Sequence, residues 1–153
     1  MGIAAFLSAD AVFTGVDAHS KKHAIQELSH LAARLTKLPE REIFDTLLQR
    51  ERLGSTGVGN GVAIPHGKLV ALDHLVGLFA RLATPISFDA LDDAPVDLVF
   101  VLLAPEDGGA DHLKALAKIA RVMRTADVAT ELREAPGRID IHRILTRTPV
   151  SAA

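Results

Sequence analysis

One histidine stands in an unusual local setting. His66 lies between Pro65 and Gly67 and directly follows the apolar residues 62–64, which have the length and composition of a buried strand. Proline fixes its own φ and biases the preceding residue toward extended geometry, while Gly67 leaves the other side of the imidazole open. The pattern predicts a functional histidine displayed at the end of a strand. The alternative is a structural histidine satisfied by its neighbours, which is the commoner case for a lone His.

Four glycines precede this histidine within eight residues: Gly54, Gly57, Gly59 and Gly61. Such a segment can adopt positive φ angles or approach a ligand closely. A P-loop needs a lysine after its closing glycine, but Asn60 follows Gly59. A dinucleotide fingerprint opens a helix, whereas this segment follows a predicted helix and opens a strand. Nucleotide binding is therefore disfavoured, and a tight structural turn remains the alternative.

Further side chains of types that can bind anions occur just before the glycines and much later in the chain. Arg50 and Arg52 end the helix before the glycines, where they either hold phosphate oxygens or simply favour the helix dipole. His112 lies at the start of a later predicted helix, where backbone N–H groups can face an anion; its alternative is a surface histidine. A metal site is disfavoured, because His66, His74 and His112 are scattered and no HExxH pattern occurs.

Composition excludes several classes of protein. The 153 residues fit one domain, and the hydrophobic fraction of 48% with 24% charged residues is typical of soluble globular proteins. Six Phe, no Trp and no Tyr predict an aliphatic core, and the net charge of -2 disfavours nucleic acid as a partner. The absence of cysteine excludes disulfides and thiolate chemistry. No apolar run has the length of a membrane span, so we expect a cytoplasmic protein without membrane insertion.

Apolar periodicity predicts helices on either side of a few strands. Expected helices span residues 21–35 capped by Ser20, 39–52 with Pro39 at the first position, 112–123 capped by Asp111, 128–134 and 139–146. Expected strands span residues 62–64, 75–82 and 96–103, with Thr84-Pro85 ending the second and a short edge segment at 86–88. Helices on either side of a few strands predict a three-layer α/β/α sandwich with a mixed β-sheet, in a single domain over residues 1–153. A plain doubly wound fold is disfavoured, because regular βαβ alternation is missing.

Two segments carry a family resemblance. Residues 50–57 (RERLGSTG) and 61–68 (GVAIPHGK) resemble the active-site signature of phosphotransferase-system IIA proteins of the mannitol/fructose class (EIIA type 2), particularly the nitrogen-regulatory IIA branch. The resemblance continues in residues 20–22 (SKK), 84–90 (TPISFDA), 95–98 (PVDL) and 111–113 (DHL), in the same order along nearly the whole chain.

The resemblance implies a phosphoryl-transfer site. His66 would accept a phosphoryl group on Nε2 from the phosphohistidine of a small HPr- or NPr-like carrier protein, Arg50 would contact the phosphoryl group, and His112 would lie across the site. Donors from Ser55, Thr56 and the loop N–H groups, including that of Gly67, would complete the oxygen cradle. For the two hydroxyl residues, turn formation is the alternative. No metal and no cofactor are implied.

Three functions follow as hypotheses. The first is a cytoplasmic phosphocarrier that signals nitrogen or metabolic state to target proteins such as transporters or kinases. The second is a sugar-transport IIA subunit of the fructose or mannitol type, which passes its phosphoryl group to a IIB domain. The lack of an attached IIB or IIC sequence favours the first. The third is a binding module without transfer activity, against which His66, Arg50 and His112 argue.

Overall fold

The computed structural model describes residues 2–147, in which a six-stranded sheet is flanked by helices. The strands are β1 (Val12–Val16), β2 (Gly57–Gly59), β3 (Val62–Ala63), β4 (His66–Leu69), β5 (Val76–Ile86) and β6 (Val96–Pro105). The helices are α1 (Lys21–Thr36), α2 (Glu40–Arg52), α3 (Gly109–Arg124), α4 (Ala126–Glu134) and α5 (Arg138–Thr146). Two short 3-10 helices, Ile3–Ala5 and Ala9–Ala11, precede β1.

Strand β6 is the centre of a mixed sheet. The strand order is β1-β5-β6-β3-β2, with β4 also pairing to β6. Strands β3 and β4 run parallel to β6 one after the other along the same edge, so Val62 pairs with Leu98 and His66 pairs with Leu102. On its other edge β6 pairs antiparallel with β5, which in turn pairs parallel with β1. A strand paired on both edges and apolar on both faces needs cover from two layers.

Helices supply that cover on both faces. Ile25 of α1 and Leu47 of α2 belong to the core on one face. Ile119 of α3, Leu132 of α4 and Ile141 of α5 belong to the core on the other. The predicted α/β/α sandwich with a mixed sheet is therefore confirmed. Within residues 2–147, none of the helices combines the length and the apolar character that crossing a bilayer requires.

The helix ends agree with the sequence only in part. Ser20 caps α1 as predicted, because its hydroxyl accepts a hydrogen bond from the His23 backbone N–H at 3.1 Å. The prediction for α3 was wrong: Gly108 is its N-cap, and Asp111 lies in the first turn, where its charge favours the helix dipole. Pro39 is the N-cap of α2 rather than its first residue, because its ψ of 128° is extended.

Strand β5 is longer than predicted. We expected Thr84 and Pro85 to end it, but both lie inside β5, so that prediction was wrong. The register between β5 and β6 shifts between Arg81 and Ile86, and a proline is tolerated at such an irregularity because a ladder bond is already missing. The separate edge segment expected at 86–88 does not form: Ile86 is the last residue of β5 and pairs with Val96, and Phe88 is buried beyond the end of that strand.

The second half of the glycine-rich segment, from Gly57 onward, belongs to a β-hairpin instead of a loop. Strands β2 and β3 pair antiparallel around the two residues Asn60 and Gly61, whose φ angles are +58° and +79°. Positive φ at both central positions is what a two-residue hairpin turn requires, and Asn-Gly satisfies it at low cost. This dipeptide between apolar runs was a hairpin signal available from the sequence.

Candidate functional site

His66 lies at a break between two strands. We predicted one strand over residues 62–64 with the histidine at its end, but β3 ends at Ala63 and His66 begins β4. Pro65 explains the break, because it has no N–H to continue the ladder, although its carbonyl accepts a hydrogen bond from Leu102 N at 3.0 Å. The imidazole therefore directly follows the break between β3 and β4, and it is half-buried.

The hydrogen bonds of His66 define its tautomer. Nδ1 lies 2.8 Å from the carbonyl oxygen of Ile64, which can only accept, so Nδ1 carries the proton. Arg50 Nε donates to His66 Nε2 over 3.2 Å, so Nε2 presents its lone pair. His66 is thus arranged as a neutral imidazole with its nucleophilic nitrogen directed at a guanidinium.

Arg50 reaches His66 from the last turn of α2. Its Nη1 also donates to the carbonyl oxygen of Gly54 at 3.0 Å, which fixes the plane of the guanidinium. Gly67 allows α2 to come this close to β4: a Cβ on Gly67 would lie 2.5 Å from Thr46 Cγ2. Thr46 lies one turn before Arg50, so the close approach at Gly67 also brings Arg50 toward His66.

His112 lies across the site from the first turn of α3. The ring centroids of His66 and His112 are 5.7 Å apart, and the ring planes are inclined by 58°. His112 is only 6% exposed, and its Nδ1 has no hydrogen-bond partner within residues 2–147. A buried imidazole nitrogen without a partner is costly unless a ligand satisfies it.

Both histidines favour their neutral forms. Burial lowers the pKa of His66, and the charge of Arg50 lowers it further, while the hydrogen bond to Ile64 and the charge of Glu51 oppose this change. Burial is also the main cause of the lowered pKa of His112, to which the neighbouring His66 and Lys68 contribute. At neutral pH two uncharged imidazoles therefore face each other.

An open cavity of about 610 Å³ surrounds the histidines. It is lined by Thr46, Gln49, Arg50, Arg52, Leu53, His66, Gly67, Lys68 and His112. Of the described residues that line it, three are cationic and none is acidic. The cavity therefore favours an anion placed next to Nε2 of His66.

Ser55 and Thr56 point elsewhere. The Ser55 hydroxyl donates to the Phe88 carbonyl at 2.6 Å and accepts a hydrogen bond from Gly57 N. The Thr56 hydroxyl donates to the carboxylate of Glu51. Neither residue is among the described residues that line the cavity. Their assignment as hydrogen-bond donors to the phosphoryl group stays a prediction. In the structure both hydroxyls donate to other partners.

The structure adds residues that sequence reasoning missed. Lys68 lines the cavity two residues after His66, on the same face of β4, and the two-residue period of a strand was the signal for it. Thr46 lines it four residues before Arg50, at helical spacing. Within residues 2–147, no group of three His, Cys, Asp or Glu side chains is placed to hold a metal ion.

Known proteins resemble the chain in sequence and in structure. The family model described as "Phosphoenolpyruvate-dependent sugar phosphotransferase system, EIIA 2" matches residues 5–148. A nitrogen regulatory protein from Bradyrhizobium diazoefficiens is 52% identical over 153 residues, with 100% of both chains covered. A fructose-specific EIIA component from Haloferax volcanii is 39% identical over 127 residues, 82% of each chain.

A solved structure shares the architecture as well. The crystal structure of nitrogen regulatory protein IIA-Ntr from Neisseria meningitidis superposes with a TM-score of 0.89 at 35% identity, covering 94% of this chain and 99% of that one. Proteins of this family belong to a phosphotransferase system, so their role is in phosphoryl transfer. The family match, the relatives and the shared fold agree: the chain belongs to the type-2 EIIA family of the phosphoenolpyruvate-dependent sugar phosphotransferase system.

Proposed function

We propose that this protein is a phosphocarrier that accepts a phosphoryl group on Nε2 of His66 and reports its phosphorylation state to target proteins. The observation that carries the proposal is the pair of hydrogen bonds on His66: Ile64 holds the proton on Nδ1, and Arg50 approaches the lone pair on Nε2. A neutral imidazole is the nucleophilic form, and here the tautomer is set before any partner arrives.

The donor is a phosphohistidine on a small carrier protein of the HPr or NPr kind. The Nε2 lone pair attacks phosphorus while the phosphorus–nitrogen bond of the donor breaks, and its electron pair returns to the donor imidazole. No proton has to leave His66, because the accepting nitrogen carries none. The reaction therefore depends mainly on alignment and on stabilising the charge of the transferring group.

Cationic and uncharged donors around His66 would stabilise that charge. Arg50 would exchange its bond with Nε2 for bonds to phosphoryl oxygens, for which its planar fork is suited. Arg52 and Lys68 line the same cavity and add positive charge. His112 would direct one ring N–H at a phosphoryl oxygen, and the backbone N–H of Gly67 lies beside the acceptor.

The rim of the cavity fits a protein as the donor. Leu53 lines the cavity and is 85% exposed, and Leu113 follows His112 and is 68% exposed. Exposed aliphatic side chains beside a cationic cavity are features of a docking surface for another protein. A small phosphate donor would need no such rim.

Regulation is the favoured purpose, with the protein in the cytoplasm and with transporters or kinases as the targets. The name of the Bradyrhizobium relative, 52% identical over its whole length, supports regulation linked to nitrogen. The fructose-specific name of the Haloferax relative supports the second candidate, a sugar-transport subunit. Phosphorylation adds about two negative charges at one exposed cavity, which is enough to switch an interface.

Intact mass spectrometry tests the proposal. The protein is incubated with phosphoenolpyruvate, the general phosphotransfer enzyme and its carrier, and we expect the mass of one added phosphoryl group. His66→Ala should abolish the addition, while the exposed His74→Ala serves as the matched control. The modification should be labile in acid and stable in base, as a phosphoramidate is. A stable phosphoserine at Ser55, or no addition at all, would contradict the proposal.

A binding experiment separates the two purposes. A regulator should capture different partners in its phosphorylated and unmodified forms, whereas a transport subunit should transfer its label rapidly to a fructose- or mannitol-type IIB domain. Identical partner sets together with fast transfer to IIB would favour the transport subunit.

A further inference from the structure

We propose that Glu51 is a positioning residue for His66, whose buried carboxylate holds the backbone that fixes the tautomer of the imidazole. The proposal rests on the proposed function, in which His66 is the phosphoryl acceptor. It assigns to Glu51 no contact with the phosphoryl group, and Glu51 is not among the described residues that line the cavity.

The Glu51 carboxylate is buried and fully engaged. Its side chain is 2% exposed. Oε2 accepts a hydrogen bond from the Thr56 backbone N–H at 2.9 Å, and Oε1 accepts one from the Thr56 hydroxyl at 2.5 Å. Lys21 Nζ lies 3.5 Å from Oε2 and supplies a counter-charge. A buried carboxylate is tolerated only with such partners, so its bonds to Thr56 are obligatory rather than incidental.

Two more hydrogen bonds connect Thr56 to the acceptor. The Thr56 carbonyl accepts from the Ile64 N–H at 2.9 Å. The Ile64 carbonyl accepts from Nδ1 of His66 at 2.8 Å. The backbone next to the imidazole is thus bonded on one side to Thr56, through the Ile64 N–H, and on the other to Leu102, through the Pro65 carbonyl. Displacing Thr56 would therefore move the carbonyl that fixes the proton on Nδ1.

The end of α2 thus acts on both nitrogens of His66. Arg50 reaches Nε2 directly, at 3.2 Å. Its neighbour Glu51 acts on Nδ1 through Thr56 and Ile64. The last turn of α2 therefore helps to fix the proton on Nδ1 of His66 and places the Arg50 guanidinium at Nε2. A displacement of that turn would change the tautomer and the position of the positive charge together.

A second anchor connects Glu51 to two segments that have no other role in the site. Lys21, at the start of α1, also pairs with Asp89 at 3.0 Å, and its Nζ lies 5.9 Å from the centre of the Phe88 ring. The Ser55 hydroxyl donates to the carbonyl of Phe88. These contacts connect the segments 20–22 and 84–90 to Glu51 and Ser55, the residues on either side of the turn that leads to Thr56.

NMR spectroscopy of ¹⁵N-histidine-labelled, unphosphorylated protein tests the proposal independently of phosphorylation. In the wild type we expect the Nδ1–H tautomer of His66 to predominate. Glu51→Ala should give a mixture of tautomers and slow transfer from the phosphorylated carrier by on the order of tenfold to a hundredfold, the scale of a small misplacement. Glu51→Gln can accept from Thr56 N and donate to its hydroxyl, so it should keep the tautomer and transfer within about threefold of wild type.

Ser29→Ala is the matched control, because Ser29 is a buried hydroxyl that bonds within α1 to Ile25. It should leave the His66 signals and the transfer rate unchanged. The proposal is overturned if Glu51→Ala keeps the wild-type tautomer and rate, or if Ser29→Ala shifts the tautomer equally. It is also overturned if Glu51→Gln is as impaired as Glu51→Ala. If Glu51→Ala does not fold, Glu51→Gln tests whether the carboxylate acts through its charge or through its hydrogen bonds to Thr56. Failure of wild-type phosphorylation would instead refute the proposed function and leave the tautomer result standing.

Discussion

Arg50 Nε donates a hydrogen bond to His66 Nε2 over 3.2 Å, so the guanidinium covers the lone pair of this nitrogen. In the free protein this hydrogen bond orients the imidazole and occupies the lone pair of Nε2. In the proposed transfer Arg50 must move off Nε2 so that phosphorus can reach the lone pair, and its guanidinium can then bind the phosphoryl oxygens. The positive charge is therefore already beside His66 before the reaction begins.

Substitution of Arg50 tests this arrangement. Arg50→Lys keeps the charge but loses the planar fork and should slow transfer, whereas Arg50→Ala should slow it further, on the order of tenfold to a thousandfold. The measurement is the rate of label transfer from the phosphorylated carrier. Arg41→Ala, an exposed arginine in the first turn of the same helix, is the control and should transfer normally. A wild-type rate for Arg50→Ala would make Arg50 only a helix-end charge.

His112 should support the phosphoryl group without carrying it. His112→Ala is expected to slow the labelling of His66 but not to prevent it. The His66 ring keeps its hydrogen bonds to Arg50 at Nε2 and to Ile64 at Nδ1 in this variant. Rapid-quench labelling followed by peptide mapping would measure both the rate and the site. The exposed His74→Ala is the matched control. Label found on His112 in the wild type would reverse the assignment.

The lowered pKa values predict a pH dependence. Burial lowers the pKa of His66 and His112 below their ordinary value of 6.5, so both should titrate below pH 6.5 in an NMR titration. As pH falls through 6.5, the unfolded chain binds protons before the folded protein does. Stability should therefore be highest above pH 6.5 and should decrease as the pH falls toward the lowered folded values.

A thermal-unfolding series measures this effect, and His66→Ala should show a weaker loss of stability in acid than the wild type. Midpoints above 6.5 for both imidazoles, or stability that rises on acidification through this range, would contradict the prediction.

The contact between Gly67 and Thr46 should control the distance from Arg50 to His66. A Cβ at position 67 would lie 2.5 Å from Thr46 Cγ2, so Gly67→Ala should push α2 away from β4. We expect a loss of about 1–3 kcal/mol in the free energy of unfolding, the range of overpacking, together with slower transfer. Thr46→Ala alone is the control, and the double variant should recover both properties. If it recovers neither, the glycine serves another purpose.

Several features of this protein are determined by the sequence alone. The Pro65-His66-Gly67 segment, the arginine at the end of α2 and the histidine at the start of α3 were identified as site residues, and the structure brings all three together around one cavity. Helices and the layered mixed sheet were also predictable. For the helices, the sheet and the setting of His66 the reason is local, because apolar periodicity, caps and glycine or proline positions depend on neighbours within a few residues. Arg50 and His112 were assigned to the site only through the family resemblance.

Other features were decided only by tertiary structure. Pro65 splits the predicted strand because β6 supplies partners on both sides of the break, and β5 passes through Pro85 because its partner shifts register there. The tautomer of His66 depends on Arg50, sixteen residues away in the chain, and on a carbonyl placed by a hairpin. The sequence analysis assigned no role to Glu51, yet its carboxylate is buried against Thr56 and Lys21. Such assignments require knowing which distant groups meet, and local propensity carries no information about burial or partners across the fold.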